Sequence, residues 1–269
     1  MAIGRKKELA VQIFQLDAFT RERFRGNPAA VMPMKRFLSD ATLQAIAAEN
    51  NLAETAFLVR DRDEYQLRWF TPTVEVALCG HATLASAAVV MERLEPERTQ
   101  VVFATASGAL RVARKNSGYV MNFPARSSEP TSVPPDLEDA LGVRPVEVLI
   151  NEFNYLVVLE SAQLVRDFSP DIVALARLNR DGVILTAPGD ESYDFVSRYF
   201  APRKGIPEDP VTGTAHCMLV PYWSKRLAKN EFHAFQASRR GGVVDCRLHV
   251  DRIELEGSCV FYLEGEVQV

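Results

Sequence analysis

Two stretches of this chain repeat each other in order and spacing. LRWFTP at residues 67–72 is matched by SRYFAP at 197–202, so Arg68, Phe70 and Pro72 correspond to Arg198, Phe200 and Pro202 at a spacing of 130 residues. Each is followed by a turn-forming passage and a helix start rich in small residues, CGHATLASAAVVMERL and TGTAHCMLVPYWSKRL, in which Gly80 corresponds to Gly213. Next come ASGALRVA and ASRRGGVVDCRLHV, each a polar turn leading into an alternating strand. Matched elements in one order mark an internal duplication. Two copies are too few for a solenoid, so they imply two similar units facing each other. The Pro- and Ser-rich stretch SSEPTSVPP, residues 127–135, is the expected boundary, dividing the chain into 1–126 and 127–269.

The pattern within the units is α+β. Strands are expected over residues 11–19, 29–32, 55–60, 65–70, 100–105, 108–115 and 118–123. A helix is expected over 38–50, capped by Ser39 or Asp40, with Leu43, Ile46 and Ala47 on one face. Many short strands and few long helices suggest a curved, mostly antiparallel sheet around one central helix in each unit. The central helices are expected over 81–93 and 214–226. In the first, Ala82, Leu84, Ala85, Ala87 and Ala88 leave little polar face, as a buried helix requires.

The chain has 269 residues, 47% hydrophobic and 25% charged, enough to bury a sizeable core. A net charge of −4 offers no field for nucleic acid, and Arg239–Arg240 is read as a solvated or substrate-facing pair. No apolar run reaches the roughly 18 residues that span a bilayer, and MAIGRKKELA lacks the apolar core of a secretory signal. Cys79, Cys217, Cys246 and Cys259 form no CxxC pair, and the four histidines are scattered. That pattern fits a reduced cytoplasmic protein without a metal.

The duplicated turns are the candidate site. Two helix N-termini at one cleft present unpaired N–H groups and partial positive charge, suited to a carboxylate. Gly80 and Gly213 would let a ligand approach the backbone closely. His81 sits in the first helical turn, where the helix dipole favours a neutral, hydrogen-bonding ring. Thr212 is better placed than Asp209 to cap the second helix, leaving Asp209 for another task. Cys79 is either a thiolate activated at a helix start or a small buried hydrophobe, and the second reading is favoured. Glu54 opens an apolar strand and by alternation shares a face with Leu52, Ala56 and Leu58. It lies either at the strand's wet end or in an apolar pocket, where desolvation suits a carboxylate to proton transfer.

DAFT…FRGNPAAV, ENNLAETAF, FTPTVEVALCGHAT and EDPVTGTAH followed by SRRGG resemble, in order and over nearly the whole chain, the phenazine-biosynthesis isomerase family, often called PhzF-like. The resemblance implies two diaminopimelate-epimerase-like domains with the active site between them. It places Glu54 at the catalytic acid/base and His81, Asp209 and Thr214 at pocket residues, the last commonly a serine in the family. The related epimerases use two cysteines, each just before a glycine at a helix start. Here those positions hold Cys79 and Thr212, and threonine is a poor base. The expectation is therefore a cofactor-independent isomerase in which one carboxylate moves a proton between two carbons. Glu54, His81 and Asp209 are its catalytic residues, Gly80, Gly213 and Thr214 bind substrate, and no metal takes part. The expected partners are a small carboxylated substrate and a second copy in a homodimer. The alternatives are an epimerase or racemase using Glu54 and Cys79, and a binding protein without turnover.

Overall fold

The computed structural model describes residues 9–116, 118–190 and 192–269. Most of the basic N-terminal stretch read above lies outside them. The first half runs β1 (Ala10–Ala18), β2 (Asn27–Met34), α1 (Asp40–Asn50), β3 (Glu54–Asp61), β4 (Glu64–Phe70), β5 (Glu75–Val76), α2 (Gly80–Val89), β6 (Gln100–Thr105), β7 (Gly108–Lys115) and β8 (Gly118–Pro124). The second runs β9 (Glu129–Pro130), α3 (Pro135–Leu141), β10 (Glu147–Ile150), β11 (Asn154–Val158), α4 (Ala162–Asp167), α5 (Ile172–Arg177), β12 (Gly182–Pro188), β13 (Phe195–Ala201), β14 (Ile206–Asp209), α6 (Gly213–Leu227), β15 (Glu231–Gln236), β16 (Gly242–His249), β17 (Arg252–Gly257) and β18 (Cys259–Gln268).

Strand pairing repeats the duplication. In the first half β1 pairs antiparallel with β2, β2 parallel with β3, β3 antiparallel with β4 and β4 parallel with β6, followed by the β6–β7–β8 meander. The second half repeats this sequence with β10, β11, β12, β13, β15, β16 and β17 in the same senses. β8 pairs with β17 and joins the two sheets. The last strand, β18, crosses back to pair with β1, while β9 pairs with β10. The expected 127–269 unit thus contains one strand that belongs to the other sheet.

All ten residues of α2 are buried, because its small and apolar side chains leave no face that prefers water. The α-helix ends at Val89, short of the expected Arg93, and continues as a single π turn, Val90–Leu94. α6 carries the equivalent role, with Pro221 inside it. α2, α6 and the sheet faces around them share one core. A second core lies under α3, α4 and α5, and a third under α1. α1 begins at Asp40, with Ser39 as the cap: its Oγ accepts from the Thr42 N–H.

The repeated arginines show what the LRWF and SRYF stretches do. Arg68 on β4 grips Glu75 on β5 with two hydrogen bonds of 2.7 Å, and Arg198 on β13 grips Glu208 on β14 at 2.7 and 3.0 Å. Each guanidinium also lies over the phenylalanine two residues on, Phe70 or Phe200. These clamps hold the short strands that lead into α2 and α6. None of the helices among the described residues is long and apolar enough to cross a membrane.

Candidate active site

β3 starts at Glu54, α2 at Gly80 and α6 at Gly213, and β14 ends at Asp209. The fold brings these four ends together. Glu54, His81 and Asp209 are buried, at 7%, 4% and 9% exposure. Glu54 therefore lies on a buried face rather than at a wet strand end: Ala56 and Leu58, its companions by alternation, belong to the same core as α2, while its carboxylate meets the polar groups of the site.

The two glycines meet. A methyl on Gly80 would lie 3.7 Å from the Gly213 Cα, and one on Gly213 would lie 3.8 Å from the Gly80 Cα. The missing side chains face each other, so they allow the two helix ends to approach closely. At the starts of both helices the Gly80, His81, Gly213 and Thr214 amides have no backbone acceptor among the described residues, as expected of helix N-termini. Thr214 stands in the first turn of α6, half-buried, and its hydroxyl has no hydrogen-bond partner among the described residues.

His81 Nε2 lies 3.1 Å from Glu54 Oε2, yet neither atom has a well-aligned hydrogen bond. Burial works against charge on the ring, but its neighbours Cys79 and Glu54 outweigh this and hold His81 protonated well above the usual histidine range. The Cys79 thiol is itself pushed up to about 11 by burial and by Glu54, so it is neutral at pH 7 and the carboxylate carries the effect. This reverses the neutral ring expected from the helix dipole. On the other side of the ring, Nδ1 lies 3.0 Å from Asn27 Nδ2 and 3.5 Å from Cys79 Sγ. An amide nitrogen only donates, which favours a bare Nδ1. The two amide hydrogens have other acceptors, however, in Asp209 Oδ1 at 2.6 Å and Val211 O at 3.0 Å, and a protonated Nδ1 can point at the sulfur.

Asp209 is pushed up to about 6 by burial and by the charge of Glu54, against His81 and two hydrogen bonds that favour the carboxylate. Its Oδ1 accepts from Asn27 and its Oδ2 from the Thr212 hydroxyl at 2.6 Å. Thr212 does occupy the N-cap position of α6, but its side chain makes no cap hydrogen bond: its hydroxyl donates to Asp209 and accepts from Gln236 Nε2 at 3.1 Å. Sequence reasoning missed two residues here. Asn27 donates to Asp209 on β14 and lies against the His81 ring of α2. Gln236, fully buried, accepts from the Thr212 N–H at 2.8 Å and donates to the Asp209 carbonyl at 2.7 Å, bracing the turn between them. Both follow from buried polar residues in otherwise apolar strand patterns, NPAAVM and FHAFQ, which was the available signal.

Glu54, Cys79 and His81 also offer ligand atoms within 4.8 Å of one another, a cation-sized cluster that sequence spacing does not reveal. A cation there would have to displace the strongly held thiol proton. The four cysteines are free thiols. His216, one turn into α6, donates from Nδ1 to the Thr212 carbonyl and is pushed down to about 4 by burial, so it is a neutral structural histidine.

The family model for phenazine biosynthesis-like proteins, PhzC–PhzF, matches residues 16–265. An uncharacterized isomerase of Pseudomonas aeruginosa is 47% identical, over 97% of this chain and 100% of its own. A phenazine biosynthesis-like domain-containing protein of Mus musculus is 40% identical, over 96% and 99%. The crystal structure of a PhzF-family protein from Enterococcus faecalis superposes with a TM-score of 0.94 at 41% identity, over 97% of this chain and 100% of that one. The duplicated sheets, the helix pair and these matches agree: the chain belongs to the phenazine-biosynthesis-like family, as one of its isomerases.

Proposed function

We propose that this isomerase shifts a proton within a small carboxylated substrate, with Glu54 as the single acid/base and without a cofactor. The observation that carries the reading is the difference between the two buried carboxylates. Both Asp209 oxygens accept hydrogen bonds of 2.6 Å, whereas Glu54 Oε2 has no aligned partner. With His81 Nε2 beside it at 3.1 Å but poorly aligned, that oxygen is the freer of the two to take a substrate proton; one held by short hydrogen bonds is better suited to orienting its neighbours.

A two-base inversion lacks its second base here. The Cys79 thiol is held neutral, and the Thr212 hydroxyl is committed to Asp209. A single carboxylate instead breaks one C–H bond, the electron pair moves along the adjacent double bond, and the same proton is delivered to the far carbon. His81, 3.1 Å from Glu54, orients the carboxylate toward the substrate. The first-turn amides of α2 and α6, with the Thr214 hydroxyl, receive the substrate carboxylate.

The test is Glu54→Gln, assayed by proton NMR in D2O on a panel of small unsaturated carboxylic acids. The variant should bind a substrate of the wild type about as well and lose about 10²–10⁴-fold in turnover. Near-normal turnover would remove Glu54 from the mechanism.

A further inference from the structure

The turn between β15 and β16 carries Arg239 and Arg240, from the SRRGG stretch; Arg239 is exposed as expected, whereas Arg240 is half-buried and held by protein oxygens. Its guanidinium crosses to the other unit and donates to three oxygens there: Asp17 Oδ1 at 2.6 Å, Gly26 O at 2.8 Å and Arg25 O at 2.9 Å. Asp17 is 2% exposed, and its other oxygen accepts from the Phe24 N–H at 2.8 Å. Two backbone bonds tie the same segments together, Gly26 N–H to Gly241 O at 2.7 Å and Val243 N–H to Phe19 O at 3.0 Å.

The loop so held is under strain. Phe19 and Phe24 have φ of 61° and 71°, in the left-handed region that bulky side chains avoid. Gly26 has φ of 64°, and a methyl there would lie 2.1 Å from Ala18 O, so only glycine fits. Such conformations persist where surrounding contacts over-determine them. The residue after Gly26 is Asn27, whose amide lies between His81 and Asp209.

We infer that Arg240 is a positioning residue: its grip on Asp17 and the Arg25–Gly26 carbonyls sets the strained loop so that the Asn27 amide, lying against the His81 ring, donates to Asp209 of the other unit. The assembled site then depends on the two units being latched together at a point that touches no substrate. The inference deepens the proton-transfer reading and rests on it for its effect on turnover, but its structural core does not.

Loosening the latch weakens the hydrogen bond from Asn27 to Asp209, which favours the ionised carboxylate. The groups facing Asp209 are Glu54 from β3, His81 from α2, Tyr199 from β13 and the Thr212 hydroxyl, and none of these is altered by a change at Arg240. The experiment follows the Asp209 carboxyl carbon by NMR as a function of pH in wild type, Arg240→Ala and Arg240→Lys, alongside turnover. Arg240→Ala should move the Asp209 titration to higher pH and lower kcat on the order of 10–100-fold, with KM changed far less, since small misplacements in a site act on kcat. Arg240→Lys keeps the charge opposite Asp17 but cannot reach all three oxygens in one geometry, and should fall between the two. If Arg240→Ala does not fold, Arg240→Lys and Asp17→Asn carry the same comparison. An Asp209 titration unchanged in folded variants overturns the inference. The NMR readout needs no turnover, so a failure of the latch is distinguished from a failure of Glu54 as the acid/base, which the Glu54→Gln assay reads separately.

Discussion

Gly80 and Gly213 stand back to back at the starts of α2 and α6, each with its missing side chain directed at the other's Cα, 3.7 and 3.8 Å from where a methyl would be. Neither has positive φ, so neither is required for its own backbone conformation. A single methyl is accommodated at ordinary contact distance, whereas two would compete for the same gap. Gly80→Ala and Gly213→Ala should each change stability by less than about 1 kcal/mol. The double variant should be destabilised beyond their sum by roughly 0.5–3 kcal/mol. Urea unfolding of the four proteins checks this, and additive values would refute the shared gap.

Cys79→Ala should keep turnover within a few-fold of wild type. The thiol is neutral at working pH and is packed as a small apolar group at the N-cap of α2. A large loss of kcat in a folded Cys79→Ala protein would revive an epimerase using Glu54 and Cys79.

Asp209 should impose a pH dependence on stability with a definite sign. Its folded value of about 6 lies above the ordinary 3.8, so between about pH 4 and 6 the folded state binds more protons than the unfolded chain. Stability contributed by this group is present at the acid end and is lost as pH rises through that window, by about 1–3 kcal/mol. Unfolding measured at several pH values in wild type and Asp209→Asn isolates the effect. The stability difference, wild type minus variant, should decline from pH 4 to 6 and then level off. A difference that grows with pH would contradict it.

The two arginine clamps should differ in strength despite their common origin. Arg198 is 8% exposed and also donates to the carbonyls of Val165, Arg166 and Phe168, so Arg198→Met strands Glu208 and the end of α4. The loss should be about 3–5 kcal/mol. Arg68 and Glu75 are 26% and 41% exposed, and Arg68→Met should cost about 1 kcal/mol or less. Thermal or urea unfolding separates them, and equal losses would show that burial does not set the strength of this clamp.

Much of this was legible from the residues alone, because duplication and periodicity are local properties. A repeat of LRWF and SRYF at fixed spacing implies two copies of one topology. The all-apolar pattern of 82–89 implies a buried helix, and the alternation around Glu54 implies a carboxylate on an inward face. The motifs that resemble the phenazine-biosynthesis family pointed to Glu54 as the candidate acid/base. What remained for the tertiary structure is whatever depends on contacts between distant segments. Asn27 reaches partners 54 and 182 residues away, and Arg240 reaches an aspartate 223 residues away. No periodicity encodes such distances; they arise only when β2 and the β15–β16 turn are brought to one seam. The same holds for β18, whose edge pairing with β1 overrides chain order, and for His81, whose proton is set by a carboxylate from another strand rather than by its own helix.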